Sequence, residues 1–526
     1  MIAKKIIWVT LACCAGAGCF SPQRQEQDQK VGTQAMTGIA SDDLIVEGRI
    51  ADVQAAILAG ETSCTAVVEA YIERIETFDQ ASHMNAITFK QYDRAREYAR
   101  LFDVSDARPP LFCTPILVKD NIDVAGIPTT AGSKMLIDNI PPDNAMIIDR
   151  LEAAGAIVLA KTNMAEWAFS PKRTESTTAG VTANAYNLDY TPAGSSGGTA
   201  SGVASSFAIA GLGTDTGNSI RGPSSHLSLV GMRSTHGLIS LDGIVPLVLG
   251  SDVVGPITRT VEDNARMLSV LVGDGADYTT ALDIDGLKGA RIGVVRELAS
   301  VEDTDPQVLA LFDVALEDMK KAGAIIVDPA PIPNIEEDLE ASWGCRSFRK
   351  DVHKYLTQPG MHVKINDPMQ AFEAGVYASY TKGAWEWFGK SGVDDPTRAD
   401  GTPCGDLSQN EVRQRIRNHL LTALVDGQLD ALIYPSWRYP PARLDRVEED
   451  YKGDNSQLLA PPSGLPALTV PMGFTHEGLP AGIQFLGRTK GEADLYKLGY
   501  GYEQATHHRR PPSACCQPGT LTKARD

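Results

Sequence analysis

Between Thr191 and Gly237 the chain reads TPAGSSGGTASGVASSFAIAGLGTDTGNSIRGPSSHLSLVGMRSTHG, with small and hydroxylated residues where a core would need bulk. Ordering so many glycines and serines costs backbone entropy. A flexible loop would escape that cost, but Ala208–Leu212 interrupts the stretch with an apolar run of buried-strand type. The two Gly/Ser-rich segments must therefore be ordered on either side of a strand. This predicts a site where backbone approaches a ligand closely.

Similar short apolar runs occur at Ile116–Val118, Ile157–Ala160, Ile292–Val295, Ala324–Val327, Ala431–Tyr434, Ala467–Val470 and Ile483–Leu486. Between them lie stretches of helical spacing: Asp52 to Phe78, split into two helices at Gly60 and Glu61; Ala145 to Ala154; and Thr260 to Val272, opened by Thr260 with Asp263 three residues on. Such alternation argues an α/β fold with a central, mixed and mostly buried sheet covered by helices on both faces. From about residue 297 to 424 the pattern loosens into acidic helical segments and an aromatic cluster of Trp343, Phe348, Tyr377, Tyr380, Trp385, Trp387 and Phe388. This region is expected to be a variable cap, with some rings in ordinary core and a few on a substrate-facing wall.

The chain has 526 residues, 43% hydrophobic and 22% charged, an ordinary balance for a globular protein. Its 48 Lys and Arg against 66 Asp and Glu give a net charge of −18, which repels phosphate backbones, so no nucleic-acid partner is expected. Lys4 and Lys5 precede an apolar run from Ile6 to Gly18, too short to span a bilayer as a helix, and the segment reads as an export signal. Ala17-Gly18-Cys19 resembles a lipoprotein cleavage site, making Cys19 the candidate for lipidation, with Leu11-Ala12-Cys13-Cys14 as a competing register. The expected organisation is a signal peptide at 1–19, a polar tether at 20–45, a main domain at 46–512 and a tail at 513–526. The expected location is outside the cytoplasm: periplasmic, membrane-anchored only through the lipid, or secreted.

Six of the nine cysteines lie beyond Cys19, and none forms a CxxC pair. Buried or incidental thiols are the expectation, with disulfide pairing left open. The histidines are scattered without an HExxH, so no metal site is expected.

Gly194-Ser195-Ser196-Gly197-Gly198 formally matches a nucleophile elbow centred on Ser196, but an elbow must follow a buried strand and AYNLDYTPA precedes this one. Ser347–Lys350 and Ser379–Lys382 are S-x-x-K tetrads without companion motifs, and Gly389-Lys390-Ser391 lacks the first glycine of a P-loop at the required spacing.

A different combination fits better. The segment PILVKDNIDVAGIPTTAGS places Lys119 directly after a strand, and Gly194 to Gly198 and Gly213-Thr214-Asp215-Thr216-Gly217-Asn218-Ser219-Ile220-Arg221 follow in order. GAIVLAKTN, VGPITRTVED, PSGLPALTVPMG and GIQFLGR support the same pattern. These blocks resemble those of the amidase signature family from about Asp52 to Pro512, with an early half most similar to bacterial peptide amidases and broad-specificity amidases. The resemblance implies a triad of Ser219 as nucleophile, Ser195 in a cis peptide as proton relay and Lys119 as base. It also implies an oxyanion hole from the backbone N–H groups of Thr216, Gly217, Asn218 and Ser219, and structural bracing by Asp215 and Arg221. Chemistry agrees: a serine hydroxyl needs an adjacent base, and lysine can serve only when burial lowers its pKa.

The implied function is hydrolysis of small-molecule linear amides, or esters, without metal or organic cofactor; oligomeric state stays open. Rivals are an esterase-dominant hydrolase, a catalytically inactive surface binding protein, and a transamidating subunit that works on charged tRNA, which conflicts with the acidity. One position departs from the family. Asn218 stands where glycine is usual, and is expected either to keep the same backbone and narrow the acyl site or to rotate the turn.

Overall fold

Thr114–Lys119 and Ala156–Thr162 are buried at every position. A strand covered on both faces needs a continuous apolar run in place of alternation, as their cores ILV and AIVLA provide. The computed structural model describes residues 41–341, 344–361 and 363–513. Its strands are β1 (Ile87–Lys90), β2 (Thr114–Lys119), β3 (Ala156–Thr162), β4 (Glu175–Ser176), β5 (Gly180–Val181), β6 (Ala210–Asp215), β7 (Val230–Arg233), β8 (Val253–Thr258), β9 (Arg291–Val294), β10 (Ile325–Val327), β11 (Ala431–Pro435), β12 (Ala467–Phe474) and β13 (Pro480–Leu486). Eleven form one sheet in the order β1-β3-β2-β6-β8-β7-β12-β13-β11-β9-β10, while β4 and β5 pair separately.

The sheet is mixed, as expected. β2 runs parallel to both β3 and β6, β9 parallel to β10 and β11, and the remaining neighbours are antiparallel. The register Ile116↔Ala210, Val118↔Leu212 carries the ends of β2 and β6 to the same edge of the sheet, so Lys119 and Thr214 finish side by side.

Each expected strand is present. The helices at Ile50–Leu58 and Cys64–Phe78 flank the break at Gly60, and Thr260 caps Val261–Val272 by accepting from the Asp263 N–H. The Gly/Ser-rich stretch forms the wholly buried helix Gly197–Ala204. A Cβ on Gly198 would lie 2.2 Å from the Asn163 carbonyl oxygen, and one on Gly194 2.3 Å from that of Arg173. At these positions the small residues let the backbone approach other protein backbone, a different reason from the ligand contact expected.

Within residues 297–424, Phe348 and Trp385 are core: with Trp167 and Phe169 they make edge-to-face pairs at 4.7–6.0 Å. Trp387 and Phe388 instead face a cavity described below. Trp343 lies outside the described residues.

The expectation of unpaired thiols is corrected. Cys64 pairs with Cys113 and Cys345 with Cys404, across sequence separations of 49 and 59 residues. The first ties the start of the Cys64–Phe78 helix to the residue before β2; the second joins two segments within residues 297–424. Only the fold brings such distant residues together, so spacing held no signal. Cys13, Cys14, Cys19, Cys515 and Cys516 lie outside the described residues.

Candidate active site

Lys119 is the last residue of β2, and its side chain is fully buried. Its Nζ lies 2.7 Å from Ser195 Oγ and 2.8 Å from Thr214 Oγ1, with the Thr214 carbonyl at 3.3 Å. Burial pulls the ammonium down to about 7, although the negative charges of Asp215 and Asp252 work against that fall. Asn121 donates from Nδ2 to Thr214 Oγ1 at 3.2 Å and so helps to fix the hydroxyl that meets the amine.

Ser195 follows a cis peptide bond from Gly194 and is fully buried. Ser196 faces elsewhere, donating to the Thr214 carbonyl at 3.2 Å, and no strand runs directly into it, which removes the elbow reading. Ser219 sits in the turn after β6, 6% exposed, on the wall of a 220 Å³ cavity. Its hydroxyl donates to Asn218 Oδ1 at 3.4 Å. It makes no hydrogen bond with Ser195, so Lys119 and Ser195 are joined directly while Ser219 is not joined to either.

The N–H groups of Thr216, Gly217, Asn218 and Ser219 donate to nothing among the described residues. Four consecutive unused donors beside a serine hydroxyl form a ready site for developing negative charge. The turn is braced from beneath. Asp215 accepts from Arg221 at 3.1 Å and from Arg233 at 2.8 Å, and Arg221 also donates to the Gly217 carbonyl at 2.6 Å. Burial alone would raise the Asp215 carboxyl, but the two guanidinium groups outweigh it and hold the group at about 2.

Asn218 keeps its backbone outside the left-handed region, and its side chain donates from Nδ2 to Asp454 Oδ2 at 3.0 Å. Tyr451 and Gln457 donate to the same oxygen. The cavity is also lined by Phe169, Leu247, Trp387, Phe388 and Gln457. Arg233, Asp252, Asp454 and Gln457 escaped sequence reasoning. Arg233 ends a strand in the VGMRSTHG run, where an arginine after apolar residues was the only signal. Among the described residues, no three His, Cys, Asp or Glu side chains converge as a metal-binding group.

A family model for amidases matches residues 66–496. The chain belongs to the amidase signature family. A glutamyl-tRNA(Gln) amidotransferase subunit from Synechococcus sp. (strain CC9311) is 32% identical over 500 residues, covering 88% of this chain and 99% of that protein. The corresponding protein of Moorella thermoacetica is 34% identical over 483 residues, covering 86% and 95%. Among solved structures, native peptide amidase from Stenotrophomonas maltophilia superposes with a TM-score of 0.72 at 30% identity, covering 88% of this chain and 98% of that one. An amidase family protein from Bacillus anthracis str. Ames gives a TM-score of 0.76 at 29% identity, covering 90% and 93%. This amidase is therefore a hydrolase of carbon–nitrogen bonds in amides.

The expectation of an exported periplasmic or lipid-anchored protein is corrected by the same relatives, which are named for an activity on glutamyl-tRNA(Gln). A basic-then-apolar start is a signal of composition alone, and residues 1–40, Cys19 included, lie outside the described residues. No helix among the described residues is long and apolar enough to cross a membrane.

Proposed function

We propose that this amidase works through an acyl-enzyme on Ser219, with Ser195 as relay and Lys119 as base. The observation that carries the reading is the fully buried Lys119 amine, 2.7 Å from Ser195 Oγ and held near a pKa of 7. A neutral amine offers two protons and one lone pair. Both protons are used by Thr214, through its hydroxyl and its carbonyl, which leaves the lone pair to accept from the Ser195 O–H. Ser195 then accepts the Ser219 proton as the Ser219 hydroxyl turns from Asn218 Oδ1 to attack the carbonyl carbon. The oxyanion is met by N–H groups of Thr216 to Ser219, Ser195 returns the proton to the leaving amine, and water repeats the relay to release the acid. Asp215 and Arg221 hold the turn without touching the substrate.

We take residues 46–512 as the amidase unit and 297–424 as a cap that contributes Trp387 and Phe388 to the acyl wall. The test is covalent labelling. A fluorophosphonate should attach to Ser219 in the native enzyme and in Ser196→Ala, and Ser219→Ala should lose both labelling and turnover. An adduct on Ser196 would overturn the assignment.

A second reading rests on the names of the curated relatives, each one subunit of an amidotransferase. Here the amidase would release ammonia from an amide as one part of a larger assembly. Its net charge of −18 opposes a direct tRNA contact, so the acceptor site would have to belong to a partner. Rapid ammonia release from simple amides by the isolated chain would favour the first reading.

A further inference from the structure

Cys345 and Leu407 line two cavities at once: the 220 Å³ catalytic cavity and a 330 Å³ neighbour whose other walls include Lys350, Asp351 and Gln414. Cys345 is fixed there by its disulfide to Cys404. The Leu407 side chain has no such bond, and the residue it packs on is a glycine. A Cβ built on Gly250 would lie 2.3 Å from a terminal carbon of Leu407 and 2.9 Å from its Cβ, so the leucine is seated directly on backbone.

The segment that carries Leu407 is pinned at both ends. Cys404 is buried in the disulfide, and Asn410 is buried as the cap of the helix Glu411–Asp426, accepting from the Arg413 N–H at 3.1 Å. Of the residues between them, Gly405, Asp406, Ser408 and Gln409 are exposed, and Leu407 alone is turned inward. It does not turn inward to join a core, since it belongs to none of the three apolar clusters among the described residues. A large apolar side chain on a pinned segment, lining one cavity and its neighbour together, acts as a partition between them.

We propose that Leu407 sets the acyl length this amidase accepts, by closing the catalytic cavity against its neighbour. The assignment rests on the amidase reading of the Ser219 site, and the chemistry of that reading gives the direction. The amine leaves beside Ser195, which returns its proton. Ser195 belongs with the 165–171 segment: its carbonyl accepts from the Ala165 N–H at 3.1 Å, and Gly194 donates to the Pro171 carbonyl at 2.8 Å. Leu407 rests instead on the 247–252 segment. Asp252 ties that segment to the oxyanion turn, accepting from the Thr216 hydroxyl at 2.5 Å and from the Leu247 and Val248 N–H groups at 2.8 and 3.0 Å. The arm of the substrate that meets Leu407 is therefore the acyl arm. Acyl groups that stop short of Leu407 fit, and longer ones overpack the site. In Leu407→Ala a longer chain passes into the second cavity, where a hydroxyl at its far end costs less than a methyl because the walls are polar.

The test measures binding without turnover. Ser219→Ala protein is titrated calorimetrically with primary amides of straight-chain ω-hydroxy acids of increasing length and, separately, with N-alkyl acetamides of increasing length. In the first series affinity should drop about tenfold or more past one limiting length. Leu407→Ala in the same background should recover about tenfold for chains beyond that limit, and Leu407→Phe should move the limit to shorter chains. Opposite shifts from one position are not what loss of folding produces. A limit that neither substitution moves, a limit that moves only in the N-alkyl series, or no length-dependent binding at all would overturn the proposal. Hydrolysis of the short amides by native enzyme reads the catalytic assignment separately, and its failure would leave the Leu407 measurement intact.

Discussion

Asn218 donates from its side-chain nitrogen to the partly buried carboxylate of Asp454 at 3.0 Å, while its side-chain oxygen accepts from the neighbouring Ser219 hydroxyl. The same Asp454 oxygen also accepts from Tyr451 and Gln457, so it meets Asn218 as an acceptor and this contact decides which end of the amide faces Ser219. Because the Asn218 backbone is not left-handed, a Cβ there is unstrained and the turn keeps its donors. Asn218→Gly should then broaden acyl preference with little change for the best small substrate. A large rise in kcat for every substrate tested would show instead that the asparagine had been impairing the oxyanion hole.

Asp454 itself is pushed up to about 7 by burial, against the donors that gather on it. Asp454→Asn can donate as well as accept and no longer dictates the orientation of the Asn218 amide. It should lower kcat several-fold while fluorophosphonate still labels Ser219, a split that loss of folding would not produce.

The parts of the site legible in the sequence are those built from contiguous residues. Lys119 was readable because a buried run ends in a charge, and the 213–221 block because its donors, nucleophile and brace follow one another. Asp454 and Gln457 were invisible, since they reach the 215–221 turn from a segment more than two hundred residues away, and no local spacing reports it. The fold divides the same way. Runs such as ALIYP and AIVLAKT announce strands, whereas β8 carries Gly255 and Pro256 at its centre and β7 carries Gly231 between apolar residues. Those breakers hide strands that tertiary pairing enforces.

Asp215 holds two buried guanidinium groups, and removing it would leave both charges uncompensated. Asp215→Ala should cost about 3–5 kcal/mol of stability, measured by chemical denaturation at neutral pH. The pH dependence has a definite sign. The folded carboxyl at about 2 lies below its ordinary value of 3.8, so its stabilising contribution is complete above that value and is lost as pH falls towards 2. In Asp215→Ala that acid-side loss should be smaller; an unchanged acid limb would show that other carboxylates govern it.

Phe388 stacks on Phe169 with ring centroids 5.3 Å apart, and Trp387 lies beneath the Arg346 guanidinium at 4.0 Å, both rings facing the catalytic cavity. Trp387 is 36% exposed and Phe388 is held within the cap cluster. Trp387→Ala should raise KM for aryl amides by about tenfold or less, in line with an aromatic contact of about 0.5–1.5 kcal/mol, and change kcat little. Phe388→Ala should in addition lower the melting temperature. Equal effects on aryl and alkyl substrates would remove both rings from the acyl wall.

The base carries the sharpest pH signature. Lys119 must be neutral to accept from Ser195, and burial brings its pKa from 10.5 to about 7. Below that value the ammonium has no lone pair and the relay cannot start, so kcat/KM should fall tenfold per pH unit on the acid side and level off above it. In Thr214→Val the Lys119 amine loses the hydroxyl that accepts one of its protons while the backbone carbonyl remains. That hydroxyl also stabilises the charged form when protonation occurs, so its loss should move the acid limb to lower pH. Lys119→Ala should lose most activity and flatten the limb altogether. An acid limb that stays near pH 7 in Lys119→Ala would assign the titration to another group, with Asp454, also near 7, the first to examine.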